Sequence, residues 1–409
     1  MINSLILNYE PKNVDEKLDP FEKKSIERFF QKIDRDENGR LIVPILWNEE
    51  TSSRLGQNLN LSKCILNSNF KKFGHDLEKI EMIDSAFREQ LNLGITERID
   101  DLDKFIQQNP KCSFMPHMPI FKMDKDTSKC RNVFLSNLCE KGGDKLSHNQ
   151  TISSGVNLNR KLSTAIMQIR FDKYLIVYDL VKAFLQLKIS DEDAVRLCFL
   201  WYADVQNGDM RIIGMKMKRV PFGIRCSPSL LLLSLYYLLI LDNTPETSTK
   251  FREFKKQLYH CMYMDNGSFT TNSNEEVSWA YKTLNKVYNP YGFEIQQVMT
   301  NELSLQHDID QSTDALSPQR VKLLGIEWDR YDDKLSCADL ILNKDANTKR
   351  TVLQSIASNF DIFNFNMPLL NRARLFMHEL QLNAKLGWDT KLSSVQIAEW
   401  RKIANQFNS

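Results

Sequence analysis

Two apolar stretches decide the fold, YLIVYD at residues 174–179 and HCMYMD at residues 260–265. Each has the continuous hydrophobic pattern of a buried strand, and each ends in an aspartate, Asp179 or Asp265. Carboxylates at neighbouring strand ends can share divalent cations, and two such ions can activate an attacking oxygen and stabilise a leaving one in phosphoryl transfer. The alternative is that each aspartate is a turn former or a helix cap, the usual role of aspartate after a strand. We predict that the two strands are antiparallel neighbours whose carboxylates lie within reach of one shared ion.

Positive charge is unevenly distributed along the chain. The 409 residues carry a formal charge of +2, which by itself argues against a nucleic-acid partner. Residues 111–226, however, contain 19 basic and 11 acidic side chains, a local charge of +8. An excess of this kind within one segment favours contact with phosphate groups.

Composition is typical of an intracellular globular protein. A charged fraction of 26% beside 42% hydrophobic residues excludes wholesale disorder and coiled coil. The longest apolar run, Leu230–Leu241, is shorter than the ~18 residues of a membrane span and predicts a buried core helix. The N-terminus has no secretory signal and the eight cysteines form no CxxC pair, so we expect free thiols, no membrane partner and a cytoplasmic or nuclear location.

Four motifs follow one another in the sequence. They are DLVKAFLQL at residues 179–187, RVPFGIRCSP at residues 219–228, YMDN at residues 263–266 and LLGIEW at residues 323–328. The series resembles the ordered motifs of reverse transcriptases: an aspartate with an aromatic residue five positions later, a PFG…SP element, a YxDD box and an LG-x-x-W-like turn. Any one of these motifs is a weak signal, but four in this order are specific.

Further segments are similar to the polymerase region of Bel/Pao-type LTR retrotransposons, so the resemblance covers most of the chain. The similar segments are ENGRLIVPILW at residues 37–47, SFMPHMPIFK at 113–122, TSKCRNVF at 127–134, SHNQTISSGVNL at 147–158 and TKRTVLQSIASNFD at 348–361. The resemblance implies either a piece of a retrotransposon polyprotein, which could reside in a retrotransposon particle, or an isolated remnant. No segment resembles an aspartic-protease signature, an RNase H acidic cluster or an integrase zinc motif.

The fold implied by this resemblance is an α+β right-hand polymerase. Residues 1–110 would form an N-terminal helical extension with part of the fingers, and residues 111–178 would form the fingers. Residues 179–342 would form the palm, with an antiparallel sheet and finger insertions, and residues 343–409 a helical thumb. A hairpin with a basic tip at residues 124–129 is expected in the fingers.

The resemblance also implies roles at a reaction centre. Asp179 and Asp265 would hold two Mg²⁺ or Mn²⁺ ions, and Asn266 would occupy the third catalytic position. Gly325 and Trp328 would grip the primer, with a plain core tryptophan as the alternative.

The incoming dNTP is expected to meet aromatic and basic residues. Phe184 would pack under the sugar and exclude a 2′-hydroxyl, unless it is a plain core aromatic. Nucleotide and template would pack on Phe222 and Gly223, for which an ordinary Pro–Gly turn is the alternative. Three basic residues would grip the triphosphate, unless they form only a solvated turn. They are Lys125, Lys129 and Arg131.

Three positions depart from the family pattern. The second aspartate of YxDD is replaced by Asn266, which can offer a metal only its amide oxygen. Gln297 stands where a lysine is thought to protonate the leaving pyrophosphate, work that glutamine cannot do. Leu135 stands in place of a third family aspartate.

These departures leave three hypotheses. The chain is a working RNA-directed DNA polymerase that extends an RNA/DNA primer–template with dNTPs, or an impaired or domesticated polymerase fold that binds nucleic acid or a protein partner. The third hypothesis is a structural subunit whose palm only holds helices for a partner.

Overall fold

The structure is a computed structural model that describes residues 19–121, 130–242, 248–313, 316–337, 339–383 and 386–407. It divides into two compact units. The first unit contains residues 1–160, 177–269 and 278–298, and the second contains residues 161–176, 270–277 and 299–409.

Helices and short strands are mixed along the chain, as in other α+β folds. The helices are α1 (Pro20–Lys32), α2 (Leu59–Phe73), α3 (Leu77–Asn92), α4 (Leu102–Gln108), α5 (His148–Thr151), α6 (Leu162–Gln168), α7 (Ala183–Gln186), α8 (Asp191–Ala194), α9 (Ser227–Tyr236), α10 (Thr249–His260), α11 (Asn274–Tyr288), α12 (Leu303–Thr313), α13 (Lys349–Ala357), α14 (Met367–Leu382) and α15 (Ser394–Asn405). The strands are β1 (Asp34–Arg35), β2 (Leu41–Val43), β3 (Thr96–Ile99), β4 (His117–Phe121), β5 (Cys130–Phe134), β6 (Tyr174–Leu180), β7 (Lys188–Ile189), β8 (Cys198–Asp204), β9 (Asp209–Met217), β10 (Asn266–Thr271), β11 (Ile295–Thr300), β12 (Arg320–Leu323), β13 (Ile326–Asp329) and β14 (Lys334–Ser336).

A three-stranded sheet carries the first predicted aspartate. Strand β6 lies between β10 and β11, and its residues 175–178 are all buried, as its unbroken apolar run predicts. The prediction of a strand over residues 260–264 is wrong. Helix α10 buries Phe251, Phe254 and Leu258 at helical spacing and continues to His260, so the strand β10 begins only after Asp265.

The longest apolar run forms the core of the first unit. Helix α9 is hydrophobic on every side, and its residues 229–236 are all buried. Pro228 lies in the first turn of α9, where a backbone N–H would have no acceptor within the helix, so its absence in proline breaks no helical hydrogen bond. A π-helical turn, Tyr237–Leu241, extends it. The prediction of a buried core helix is therefore confirmed, and within the described residues no helix has the length and apolar character needed to cross a membrane.

The predicted hairpin is present as β4 and β5, and its assignment to the fingers stays a prediction. The two strands are antiparallel, with Ile120 opposite Arg131. The predicted basic tip at residues 124–129 lies outside the described residues, and so do Lys125 and Lys129.

The second unit contains a β-meander and a helical bundle. Strands β12, β13 and β14 pair in order, and Leu324 and Gly325 join the first two with φ angles of 52° and 90°, as a type I′ turn requires. Helices α13 to α15 enclose a core in which Trp400 stacks on Phe376, with ring centroids 5.7 Å apart. The helical pattern predicted beyond Asn343 is thus confirmed, and its assignment as a thumb stays a prediction.

Candidate functional site

The two predicted aspartates lie together in the first unit. Asp179 is the penultimate residue of β6, and Asp265 lies in the turn that leads into β10. The backbone N–H of Leu180 donates to the carbonyl oxygen of Asp265 at 3.0 Å, which joins the two chain segments. Burial raises the pKa of the Asp179 carboxyl, and the negative charge of Asp265 raises it further. The charge of one carboxylate therefore acts on the other, and whether they share an ion stays a prediction.

A strained turn presents Asp265. Tyr263 and Asn266 exchange two backbone hydrogen bonds of 2.9 and 3.0 Å, which leaves Met264 and Asp265 at the corner. Met264 has a φ of 56°, a conformation that costs energy for a residue with a side chain. Asn159 supports it, since its Oδ1 accepts the N–H of Met264 at 3.1 Å and its Nδ2 lies 2.8 Å from the sulfur.

The residue after this turn must be glycine. A Cβ on Gly267 would lie 2.1 Å from Cζ of Tyr178, far inside contact distance. Tyr178 is buried and its hydroxyl is hydrogen-bonded to that of Tyr288 at 2.7 Å, and both features oppose displacement of the ring. The missing side chain at Gly267 is what allows the Asp265 turn to approach β6.

Neutral amides contact both carboxylates. Nδ2 of Asn266 donates to Oδ1 of Asp265, and Nε2 of Gln296 donates to Oδ2 of Asp179, each at 3.1 Å. Gln297, the position singled out from the sequence, is exposed and has a φ of 51°. The positive φ of Gln297 interrupts the regular conformation of β11, and the neighbouring Gln296 is the residue whose side chain contacts Asp179.

The structure brings two of the predicted nucleotide-binding aromatics into contact. The rings of Phe184 and Phe222 meet edge to face with centroids 5.2 Å apart, and Phe222 is 43% exposed. Gly223 has a φ of 98°, and a Cβ there would lie 2.6 Å from the carbonyl oxygen of Phe134, so its glycine is required. The side chain of Asn149 donates to the Gly223 carbonyl at 3.0 Å and helps to hold the loop.

An arginine from the N-terminal region supports this aromatic pair. Nη1 of Arg40 donates to the carbonyl of Gln186 at 3.0 Å, to its side-chain oxygen at 2.7 Å and to the carbonyl of Gly292 at 2.8 Å. Arg219 also donates to the Gln186 carbonyl, at 3.3 Å, and burial together with the charge of Arg40 lowers the pKa of Arg219 to about 10. Because Gln186 ends the short helix that carries Phe184, both guanidinium groups hold that helix in place.

The remaining predicted residues have simpler environments. Arg131 is exposed on β5. Leu135 is half-buried, and its N–H donates to the carbonyl of Pro116 at 2.7 Å.

The predicted primer-gripping pair lies in the second unit. A Cβ on Gly325 would lie 2.8 Å from the ring of Phe360. Trp328 is fully buried, and its indole N–H donates to Asp333 at 3.0 Å. Trp328 therefore has the surroundings of a core residue, which agrees with the alternative of a plain core tryptophan.

The donor set favours hard divalent cations. Two carboxylates with an adjacent amide oxygen are all-oxygen ligands, which suit Mg²⁺ or Mn²⁺. Burial, and after it the negative charge of Asp265, raises the pKa of Asp179, and a bound cation would favour the ionised form of this carboxyl. Within the part of the chain that the structure describes, no group of three or more His, Cys, Asp or Glu side chains is placed to hold a metal. Any ion at Asp179 and Asp265 would therefore be held by these two carboxylates without a third His, Cys, Asp or Glu side chain from the described residues.

Comparison with known proteins gives a family match over one part of the chain and structural similarities over nearly all of it. Residues 348–409 match the family described as the Pao retrotransposon-like RNaseH-like domain. No curated protein matches the sequence. The chain is similar to the foamy viral protease-reverse transcriptase in complex with an RNA/DNA hybrid, with 16% identity and a TM-score of 0.53, over 99% of this chain and 48% of that one. It is also similar to the foamy viral protease-reverse transcriptase dRH in complex with double-stranded DNA, with 16% identity and a TM-score of 0.54, over 99% of this chain and 63% of that one.

These similarities show an α+β fold resembling that of a retroviral reverse transcriptase, and the chain spans about half to two thirds of the length of those proteins. The family match corrects one expectation. No resemblance to RNase H was expected from the sequence, but the family that matches residues 348–409 is described as RNaseH-like. That segment folds here into α13, α14 and α15, and none of its described residues belongs to a named strand.

Proposed function

We propose that this chain is a reverse transcriptase-like nucleotidyltransferase with a right-hand layout, which copies an RNA or DNA template into DNA by two-metal phosphoryl transfer. The observation that carries the proposal is the juxtaposition of Asp179 and Asp265 through the 3.0 Å backbone hydrogen bond from Leu180. A strained turn and an obligatory glycine maintain this arrangement, which a plain strand end would not need.

The carboxylates would hold the metal ions. Asp179 and Asp265, with the amide oxygen of Asn266, would bind two Mg²⁺ or Mn²⁺ ions, whose chemistry is to activate the primer 3′-hydroxyl and to stabilise the leaving pyrophosphate. Gln297 cannot protonate the pyrophosphate, so this proton would have to come from water.

The chain's own residues would bind and select the nucleotide. The edge of Phe184, braced by Phe222, would leave no room for a 2′-hydroxyl, which favours dNTPs. Arg131, with Lys125 and Lys129, would contact the triphosphate, and Gly223 would let nucleotide and template approach the backbone. In the second unit, Gly325 and Trp328 would shape the primer-gripping hairpin from within its core, and α13 to α15 would form the thumb.

An impaired polymerase that binds nucleic acid is the second candidate. It is favoured by the amides of Asn266 and Gln296, because each already donates to a carboxylate that polymerase chemistry needs for metal. Losing a carboxylate and a general acid together could lower the rate by several orders of magnitude, since acid–base help alone contributes ~10²–10⁴.

A nuclease centre in residues 348–409 is less well supported than the polymerase centre. Two of its four acidic residues form ion pairs, Asp389 with Arg350 at 2.7 Å and Glu399 with Arg372 at 3.1 Å. Carboxylates committed to arginine are poorly placed to share metal ions. We therefore expect no cleavage of the RNA strand of an RNA/DNA hybrid.

Primer extension tests the proposal. A DNA primer on an RNA template is incubated with dNTPs and either Mg²⁺ or Mn²⁺, and wild type is compared with Asp179→Asn. Incorporation above the Asp179→Asn level is expected, and Asn266→Asp should increase it, whereas the exposed control Asn207→Asp should not. Equal incorporation by wild type and Asp179→Asn in both metals would overturn the polymerase proposal.

Binding to an RNA/DNA duplex separates the remaining candidates. Affinity that falls steeply with salt indicates phosphate contacts and supports an impaired nucleic-acid-binding fold when extension is absent. If the protein neither extends the primer nor binds the duplex, the hypothesis of a structural subunit remains.

A further inference from the structure

The first unit contains a cavity whose lining includes none of the residues of the candidate site at Asp179 and Asp265. It has a volume of about 420 Å³ and lies beside the last turns of α1, the segment that follows β2 and residues 190–196. Ligand sites in proteins typically occupy roughly 300–1,000 Å³. The cavity is therefore large enough for a small ligand or for part of a larger one.

Three cationic side chains line this cavity. Arg28 donates Nη1 to the carbonyl of Trp47 at 2.8 Å, while its Nε is buried and has no hydrogen-bond partner among the described residues. The guanidinium of Arg196 lies over the Trp47 ring, 4.8 Å from its centroid. Over the described residues, neither Arg196 nor Lys32 is ion-paired to a carboxylate. The cavity thus contains donors that an anion could satisfy.

Two of the three carboxylates of the lining have hydrogen-bond or ion-pair partners other than the three cations. Asp193 accepts from a backbone N–H at 3.0 Å and from the Trp47 indole at 2.6 Å. Glu49 forms an ion pair with Lys24 at 2.5 Å. Glu192, which is exposed, is the remaining carboxylate of the lining. Hydrogen bonds to neutral donors leave the negative charge of Asp193 in place, so with Lys24 counted four cations face three carboxylates and one positive charge remains in excess.

We propose that this cavity is a phosphate-binding site separate from the Asp179 centre, which takes a phosphate of a free polyphosphate or of a polynucleotide strand. Arg28 and Arg196 supply forked N–H donors for phosphate oxygens, and Lys32 supplies a point charge at the rim. Because Arg196 covers the Trp47 ring, the site recognises the anion rather than a stacked base. It does not depend on the chemistry proposed for Asp179 and Asp265.

Calorimetric titration of the full chain with tripolyphosphate tests this site. Arg196→Gln should weaken binding at least tenfold, and Lys32→Gln, at an exposed position, should weaken it by a smaller factor. The control Arg211→Gln removes an exposed arginine that is already paired with Asp209, and it should leave the affinity unchanged. Thermal unfolding of each variant verifies that it remains folded.

Two further arms identify the source of the phosphate. An oligonucleotide that displaces tripolyphosphate from wild type, but binds Arg196→Gln weakly, identifies a polynucleotide strand, whereas binding of tripolyphosphate alone identifies a free polyphosphate. Asp179→Asn should bind as wild type does. Absence of binding, unchanged affinity in both folded cavity variants, or loss of affinity in Asp179→Asn would each overturn the proposal.

Discussion

Acid should destabilise the first unit through two buried histidines. His117 donates Nε2–H to the carbonyl of Leu200, and His148 donates to that of Arg196, each at 2.9 Å, so both rings are neutral donors. Nδ1 of each ring is buried without a hydrogen-bond partner among the described residues. A second proton on either ring would therefore have no acceptor.

The size of the effect follows from the shift in pKa. Burial lowers the pKa of each histidine from 6.5 to about 4 in the folded chain. Between these values the unfolded chain binds more protons, so the stabilisation is complete above pH 6.5 and is lost as the pH falls toward 4. At pH 5 this amounts to about 2 kcal/mol for each histidine, or about 4 kcal/mol for the pair.

Urea unfolding at pH 7.5 and pH 5 measures this loss. Fluorescence of Trp201, whose ring lies 6.0 Å from that of His117, can report on the first unit. The double variant His117→Gln/His148→Gln keeps an amide donor at each position and cannot be protonated, so it should lose about 4 kcal/mol less than wild type on acidification. Replacement of the exposed His75 by Gln is the control. If the double variant and wild type lose the same stability, the histidines are not the cause.

Three substitutions test the geometry of the candidate site. Gly267→Ala should destabilise the first unit by about 3 kcal/mol, measured by urea unfolding, because its Cβ would overlap the ring of Tyr178. Asn159→Ala should cost about 1–2 kcal/mol and reduce primer extension, because the strained Met264 loses the hydrogen bond to its backbone N–H. Arg40→Lys should raise the KM for dNTPs or reduce discrimination against ribonucleotides, because the shorter lysine side chain does not carry its nitrogen to the position from which Nη1 of Arg40 contacts Gln186 and Gly292.

Matched controls separate these effects from general destabilisation. Gly208→Ala also has a positive φ, but nothing lies within 4 Å of its added Cβ, so it should cost only about 1 kcal/mol. Asn207→Ala and Arg211→Lys change exposed residues in the turn between β8 and β9 and in β9 itself. A Gly267→Ala variant as stable as Gly208→Ala, or extension by Asn159→Ala equal to that of Asn207→Ala, would contradict the assigned contacts. An Arg40→Lys variant with the same KM and the same discrimination as Arg211→Lys would contradict the role assigned to Arg40.

Local patterns predicted much of the fold. The unbroken apolar run before Asp179 gave the central strand, and the run at Leu230–Leu241 gave the buried helix, because continuous hydrophobicity requires burial on every side. The same reasoning failed at residues 260–264. An apolar run that short fits a strand, but here the preceding amphipathic helix sets where the strand begins.

The sequence by itself determined the order of the motifs and the chemical nature of the residues at the candidate site, including the neutral Asn266 and Gln297. Tertiary structure decided which side chains surround them: Gln296 rather than Gln297 contacts Asp179, and Arg40 reaches Gln186 and a carbonyl 252 residues away. Periodicity and motif spacing reflect which local faces are buried. Hydrogen bonds between distant segments depend on how those faces pack, and this packing becomes visible only when the chain is folded.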